Sequence, residues 1–352
     1  MQLCLSRPTI RCKSMNMSAQ TNTAAANPSP YDAIAAHFQN DMMEVNRLII
    51  DHMDSSVPLV KQVATYLIAA GGKRIRPLLT IAFSDLAGSV NDNAYKLGAA
   101  VEFIHTATLL HDDVVDESAQ RRGKASANQN FGNKTPILVG DFLFSRSFQL
   151  MVGTNNIEAL RILSDAAAII AEGEVLQLSV HGKLDIERDT HLKVLEGKTA
   201  ALFAAACESG ALVGDAGNET QQAARNFGLH MGLCFQIIDD LIDYNETKES
   251  SGKNQGDDFF EGKITLPVFI AYENGSDEEK TFWENVFRKE TRDAEDFDKA
   301  YTLIQKHDAL NKTYEIAKEY HASAQKQLSS FANSATNKML QALLDFTLNR
   351  HF

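Results

Sequence analysis

Two short stretches of the chain concentrate carboxylates in the same pattern. His111-Asp112-Asp113-Val114-Val115-Asp116 and Ile238-Asp239-Asp240-Leu241-Ile242-Asp243 both read Asp-Asp-x-x-Asp. At the pitch of an α-helix, Asp112 and Asp116 share one face, as do Asp239 and Asp243. Like charges at that spacing repel by roughly a few tenths of a kcal/mol. Aspartates near a helix C-terminus also oppose the helix dipole. Each cluster follows apolar sequence, Thr108-Leu109-Leu110 and Phe235-Gln236-Ile237-Ile238. The helix ends are therefore expected to be partly buried, where unpaired carboxylates are costly and call for a cation. An all-oxygen donor set suits Mg²⁺, which keeps positions for water or phosphate oxygens. One such cluster would read as a solvated helix end; two read as a function.

Basic residues recur beside these clusters. Lys73, Arg74 and Arg76 follow the Gly71-Gly72 pair, and Arg121 and Arg122 follow the first cluster. Lys198-Thr199 comes after Gly197, while Lys253 and Lys263 flank the glycine-containing stretch after the second cluster. Arginine offers paired donors to phosphate oxygens and lysine a point charge. Any one of these pairs alone would be surface decoration. With two carboxylate clusters they point to two diphosphate sites, one metal-bound and one held by bare cations. His105 lies two helical turns before Asp112, and Gln236 lies at i−3 from Asp239. Taken singly, each reads as a satisfied buried polar residue. Cys234 reads as a small buried residue.

The elements that must hold these residues are helices. Apolar residues at helical spacing run from about 31 to 70 (Ile34, Phe38, Met42, Val45, then Val63 and Leu67) and again over 78–86. Helices are expected over 94–116, 136–151, 157–180, 189–213 and 219–244, with a polar loop at 245–262 and helix again from Pro267. There is no proline between Pro136 and Pro267 and none after Pro267, which suits helices. β-branched alternation is scarce, so no sheet is expected. The acid-rich stretch 273–298 reads as a solvated surface.

Composition narrows the function classes. The chain has 352 residues, 44 % hydrophobic and 23 % charged, close to an ordinary globular protein, and long enough for one large helical domain. Its net charge of −12, from 46 acids and 34 bases, argues against nucleic-acid binding and against strong attachment to an anionic membrane. No apolar run is long enough to span a bilayer. Cys4, Cys12, Cys207 and Cys234 form no metal-binding or disulfide spacing, which fits a reducing compartment. Residues 1–30 are basic, hydroxyl-rich and free of acids. They read as a flexible extension ahead of a domain spanning 31–352, and alternatively as a transit peptide. The expected location is the cytoplasm, or the mitochondrial matrix if 1–30 is a transit peptide.

On these residues the chain resembles the trans-isoprenyl diphosphate synthases, the polyprenyl synthetase family. The stretches that carry the resemblance are Gly71–Pro77, Glu102–Arg122, Gly140-Asp141, Lys198-Thr199, Gly232–Tyr244 and Gly252–Pro267. The run from Phe103 to Asp116 most resembles the octaprenyl branch, whose products become quinone side chains. The resemblance implies an all-α single domain with antiparallel helices around a deep central cavity, usually a homodimer. It implies that Asp112, Asp116, Asp239 and Asp243, with Asp113 and Asp240, form the catalytic Mg²⁺ sites, about three ions being held when substrate is bound. Lys73, Arg76, His105 and Arg122 would bind isopentenyl diphosphate. Arg121, Lys198, Thr199, Gln236, Lys253 and Lys263 would contact the allylic diphosphate, farnesyl diphosphate being the expected primer, and Lys198 would also be catalytic.

The implied reaction is ionisation of the allylic diphosphate, attack by the alkene of isopentenyl diphosphate, and proton loss with the released diphosphate as base. Product length is expected to depend on a floor four and five residues before Asp112. Thr108 and Ala107 there are small, so a long product is expected, with Phe144, Phe148 and Met151 as candidates for a deeper floor. A lipid product implies transient membrane contact on release. The competing readings are a shorter-chain farnesyl or geranylgeranyl synthase, a class I terpene cyclase, and the non-catalytic subunit of a heteromeric synthase. A cyclase normally has a mixed second metal motif and lacks the Gly-Gly-Lys-x-x-Arg-Pro segment. A non-catalytic subunit tends to lose the aspartates or arginines.

Overall fold

The structure, a computed structural model, describes residues 28–121, 124–245 and 255–350. The amphipathic stretch expected over 31–70 is three helices: α1 (Pro30–His37), α2 (Gln39–Met53) and α3 (Pro58–Ala70). Ser29 and Asp32 form a capping box at the start of α1, with Pro30 at its first position. The glycine break after α3 is present. Gly71 has φ +68°, in the left-handed region that suits a residue without Cβ. Arg74, at φ +50°, then leads into α4 (Ile75–Ala87).

The helix α5 (Asp92–Val115) begins at Asn91, whose side chain accepts from the N–H groups of Asn93 and Ala94. Residues Leu97 to Ile104 are all buried, so this stretch is enclosed on every side. Asp116 is its C-cap. A two-residue antiparallel hairpin follows, β1 (Gln120–Arg121) with β2 (Lys124–Ala125), an element the sequence does not predict. Then come α6 (Ala127–Phe131), α7 (Lys134–Val152), α8 (Ile157–Ser179) and α9 (Arg188–Leu195). The helix expected over 189–213 is interrupted by a π-helical turn at Glu196–Ala200 before α10 (Ala201–Val213). The second aspartate cluster lies in the last two turns of α11 (Asn218–Asn245). The remaining elements are α12 (Asp257–Phe260), α13 (Leu266–Glu273), α14 (Asp277–Phe287), α15 (Ala294–Lys306), α16 (Ala309–Gln327) and α17 (Ala335–Leu348).

Two apolar cores hold the helices together. The first is built mainly from α1 to α10 and includes Phe83, Phe103, Phe203 and Phe227. The second is built from α11 and α13 to α16 and includes Tyr244, Phe269 and Trp283. Each buried phenylalanine contributes about 1.5–3 kcal/mol over its exposed state. Helix α11 belongs to both cores: Phe227 and Met231 pack in the first, Ile237 and Leu241 in the second.

The acid-rich stretch 273–298 proves to be helix-start chemistry. Ser276 with Glu279 and Asp293 with Asp296 form capping boxes on α14 and α15. Asp277, Glu278 and Glu295 lie in the same first turns, at the positive ends of the dipoles. Among the described residues, no helix is long and apolar enough to cross a membrane.

Candidate active site

A cavity of about 730 Å³ opens where the C-terminal ends of α5 and α11 meet, lined by Asp112, Asp116, Asp239, Asp240 and Asp243. Helical geometry turns both outer pairs to the same cavity. Asp113, grouped with the catalytic aspartates on sequence, is corrected by the structure. One residue round the helix from Asp112, it is 2 % exposed and accepts from Arg121 Nε at 2.6 Å. It does not line the cavity, and its ion pair ties the hairpin to α5.

Burial, then Glu174 and Asp116, push the Asp112 carboxyl up to about 7, against the pull of Lys198 and Arg121. Burial and Asp258 push Asp240 up to about 8, although Gln236 Nε2 donates to it at 3.0 Å. These groups resist ionisation in the absence of a cation, so the donor set fits a divalent metal. Among the described residues, no group of three or more carboxylate, imidazole or thiolate side chains is placed to hold a metal ion on its own. Mg²⁺, which takes few protein ligands and completes its sphere with water and phosphate oxygens, matches such an open arrangement.

The cations named from the sequence fall into four groups. Lys73, Arg121, Lys198 and Lys263 line the cavity. Lys198 Nζ donates to Gln177 Oε1 at 3.2 Å. Lys263 sits 3.8 Å from Asp116, 3.5 Å from Asp258 and 2.6 Å from Glu261. Burial pulls its pKa down, but those three carboxylates outweigh it and the net shift is upward. Arg76 and His105 meet each other at 3.2 Å, with the Arg76 guanidinium on the face of Phe203, and neither lines the cavity. Arg74 is structural: it pairs with buried Glu102 at 2.6 Å. Arg122 and Lys253 lie outside the described residues.

Thr199 and Gln236 are brought together. Thr199 Oγ1 donates to Gln236 Oε1 at 2.6 Å, and Gln236 passes the chain on to Asp240. Lys198 and Thr199 belong to the π turn, a widened turn that re-aims side chains and recurs at functional sites. Gly173 on α8 makes room for it, since a Cβ there would lie 2.8 Å from Gly197 Cα.

The residues expected to set product length are placed apart. Ala107 is fully buried in the first core, one turn before Asp112, and Thr108 is half-buried with its hydroxyl on the His105 carbonyl. Phe144 stacks on His111 and Phe148 is 46 % exposed on α7, and neither lines the cavity. Phe148 is therefore not a floor within this chain. Met151 is buried in the first core and does not line the cavity.

Sequence reasoning missed several cavity residues. Gln177 lines the wall beside Lys198, and Glu174, one turn before it on α8, acts on Asp112 without lining the cavity itself. Their signal was available as polar residues at i, i+3 on a helix whose other face is apolar. Arg350, just beyond α17, lies on Phe235 at 4.4 Å with Nη2 3.5 Å from Asp239 Oδ1. Nothing local in the sequence marks it, because only tertiary folding returns the C-terminal helix to α11. His191, Asp258 and Glu261 also line the wall.

Comparison with known proteins gives a consistent result. Residues 57–304 match the family model described as Polyprenyl synthetase. The octaprenyl diphosphate synthase of Escherichia coli (strain K12) is 44 % identical over 239 residues, 68 % of this chain and 74 % of that protein. A crystal structure of a decaprenyl diphosphate synthase from Rhodobacter capsulatus superposes with a TM-score of 0.88 at 44 % identity, covering 92 % of this chain and 100 % of that one. A polyprenyl synthase from Caulobacter crescentus CB15, complexed with calcium and isoprenyl diphosphate, gives 0.87 at 45 % identity, covering 93 % and 100 %.

Proposed function

The chain belongs to the polyprenyl synthetase family and is a prenyl diphosphate synthase, and from that premise we propose that it adds isopentenyl diphosphate units head-to-tail to farnesyl diphosphate, in a Mg²⁺-dependent reaction, to give an all-trans product of octaprenyl class for a quinone side chain. The observation that carries this reading is the single cavity lined by both aspartate clusters together with Lys198, Arg121 and Lys263. Asp112, Asp116, Asp239 and Asp243 would hold Mg²⁺, which would neutralise charge developing on the departing diphosphate. Lys198, oriented by Gln177 and the π turn, and Lys263, set among its carboxylates, present ammonium groups to that same diphosphate. Thr199 and Gln236 form a fixed hydrogen-bonded link between the Lys198 turn and α11. Lys73 supplies a cation on the cavity wall for the isopentenyl diphosphate, and the Arg76–His105 pair and Arg122 complete the assignment.

Full-length protein with Mg²⁺, farnesyl diphosphate and labelled isopentenyl diphosphate is expected to give a ladder ending near eight isoprene units (roughly forty carbons), the octaprenyl class of the relative above. A cyclic hydrocarbon, or no condensation by the chain alone, would overturn the reading. Ala107→Tyr is expected to shift the product distribution several units shorter, as read by chromatography of the hydrolysed alcohols. The new ring enters a packed core, a strain of about 1–3 kcal/mol, so the thermal midpoint is expected to fall as well. An unchanged distribution in folded protein would reject the floor assignment.

The reading includes a homodimer. Its support is an apolar row left on the outside of α7 and α8: Leu138, Phe148 and Val152 on the first, Val175 and Leu178 on the second. A two-fold dimer would cover the same patch on both copies. Leu178→Asp is expected to convert the dimer to monomer in sedimentation, and an unaltered dimer would place the interface elsewhere. The cytoplasm is the compartment of this proposal, in keeping with Cys207 and Cys234, which are free and buried. The mitochondrial alternative rests on residues 1–30, of which 1–27 lie outside the described residues. Release of so apolar a product implies brief contact with a membrane.

A further inference from the structure

Lys73 stands in the short turn, residues 71–74, that links α3 to α4 outside any helix. Gly71 and Arg74 there lie at φ +68° and +50°. A left-handed residue other than glycine persists where its surroundings impose it. Side chains from distant helices tie this turn down. Arg74 pairs with buried Glu102 of α5 at 2.6 Å. Tyr31 of α1, 42 residues earlier, donates its phenol O–H to the Lys73 carbonyl oxygen. The same ring faces the Lys73 ammonium, with Nζ 5.5 Å from the ring centroid, within the range of cation–π attraction. Tyr31 is itself anchored, since Ile34 and Phe38, at i+3 and i+7 on its helix face, are buried in the first core. Burial, then Asp32 and Glu102, raise the phenol pKa, so the hydroxyl keeps its proton and donates at neutral pH. Lys73 is exposed and lines the cavity, and Tyr31 does not line it.

We infer that Tyr31 is a positioning residue that presents the Lys73 ammonium to a diphosphate in the cavity, isopentenyl diphosphate in the proposed reaction. The inference rests on that reaction for the identity of the diphosphate, and on the two Tyr31 contacts for the rest. The hydrogen bond fixes the peptide from which the lysine springs, and the ring limits the directions open to its flexible stem. A ring face holds an ammonium without neutralising it, so the charge stays available to an anion. Carboxylates in that place would pair with it, as three do with Lys263. Less of the lysine is left to be ordered on binding, which favours affinity. Helix α1 thereby belongs to the site, although none of its residues lines the cavity.

Variants of the full chain test the arrangement. Tyr31→Phe keeps the ring and removes the donor, Tyr31→Leu removes both, and Lys73→Met removes the cation. Tyr31→Leu is expected to raise KM for isopentenyl diphosphate about tenfold and Tyr31→Phe about threefold, with KM for farnesyl diphosphate and kcat within about twofold of wild type. In the Lys73→Met background either Tyr31 substitution is expected to add less than about twofold, because the group it positions is gone. Calorimetry with isopentenyl diphosphate in the presence of chelator reads the same contacts without turnover or metal, and is expected to give the same order. If Tyr31→Leu does not fold, Tyr31→Phe in the two backgrounds carries the comparison. Unchanged isopentenyl diphosphate affinity in the Tyr31 variants would overturn the inference. So would an equal loss in both backgrounds, or KM for both substrates moving together with kcat, the marks of a helix that only supports the fold. If the Lys73 and Tyr31 variants raise KM for farnesyl diphosphate instead, the isopentenyl assignment falls and the positioning role stands. Absence of condensation by the wild type would sink the proposed reaction, and the calorimetric comparison would still decide the role of Tyr31.

Discussion

Asp112→Asn is expected to lower kcat with farnesyl and isopentenyl diphosphates by about 10³-fold, the scale of removing one preorganised electrostatic group from a transition state. The substitution keeps the side-chain shape and removes only the charge. In the metal-free protein that charge is unfavourable: burial and Glu174 raise the carboxyl to about 7. The Asn variant is therefore expected to unfold at the same temperature as wild type or a higher one without metal, and to gain less on adding Mg²⁺. Asp113→Asn gives the contrast. Its carboxylate is buried against Arg121, so the change leaves an unpaired guanidinium and is expected to reduce stability first. Steady-state kinetics and thermal melts on both variants check the pair. An Asp112→Asn enzyme within tenfold of wild type would remove Asp112 from the metal set.

Removing divalent metal is expected to abolish turnover and to weaken farnesyl diphosphate binding by about 10³-fold, while isopentenyl diphosphate binding changes less than about fivefold. One uncompensated charge pair at about 4 Å near a protein surface is worth about 4 kcal/mol, or about three decades of affinity. The wall around Lys198 and Lys263 carries Asp112, Asp116, Asp239, Asp240 and Asp243, with Glu174 acting on Asp112 and Asp258 and Glu261 beside Lys263. A diphosphate entering there without metal faces more carboxylates than cations. The isopentenyl assignment, to the cations Lys73, Arg76 and Arg122, needs no such neutralisation. Calorimetric titration of each substrate with and without chelator measures both limbs. Equal loss of both substrates would show that the two diphosphates share one metal-dependent site.

Much of this was legible in the sequence because helices write their period into it. The spans expected over 94–116, 136–151, 157–180 and 219–244 end within a few residues of α5, α7, α8 and α11. The i, i+4 aspartates were legible for the same reason, and so was the exclusion of Asp113 from their face, had the one-residue rotation been applied to it. What the sequence does not write is tertiary return. Arg350 reaches Asp239 only because α17, packed mainly in the first core through Leu340, Leu343 and Leu344, folds back onto α11, and His191 joins Asp112 and Asp239 on one wall only once helices far apart in the chain have packed. The π turn was hidden because an extra residue in one turn leaves the apolar pattern on both sides intact. Phe148 misled because aromatic residues on a helix read as core whether they face the interior or the outside. The acids at 273–298 are mostly solvated, as expected, but composition reports their charge and not their place at helix starts.

Helix α11 also decides how the molecule can come apart. It is one unbroken helix whose first half completes the first core and whose second half begins the other. Neither core is closed without it, so melting one strips an apolar face from the other, and both are bound into a single unfolding transition. A fragment ending before Asn218 would lack a wall of the first core, and one starting after Asn245 would lack a wall of the second. The aspartates at the far end of that shared helix thus exist as a site only when both cores are folded, and neither of these two fragments can carry the cavity.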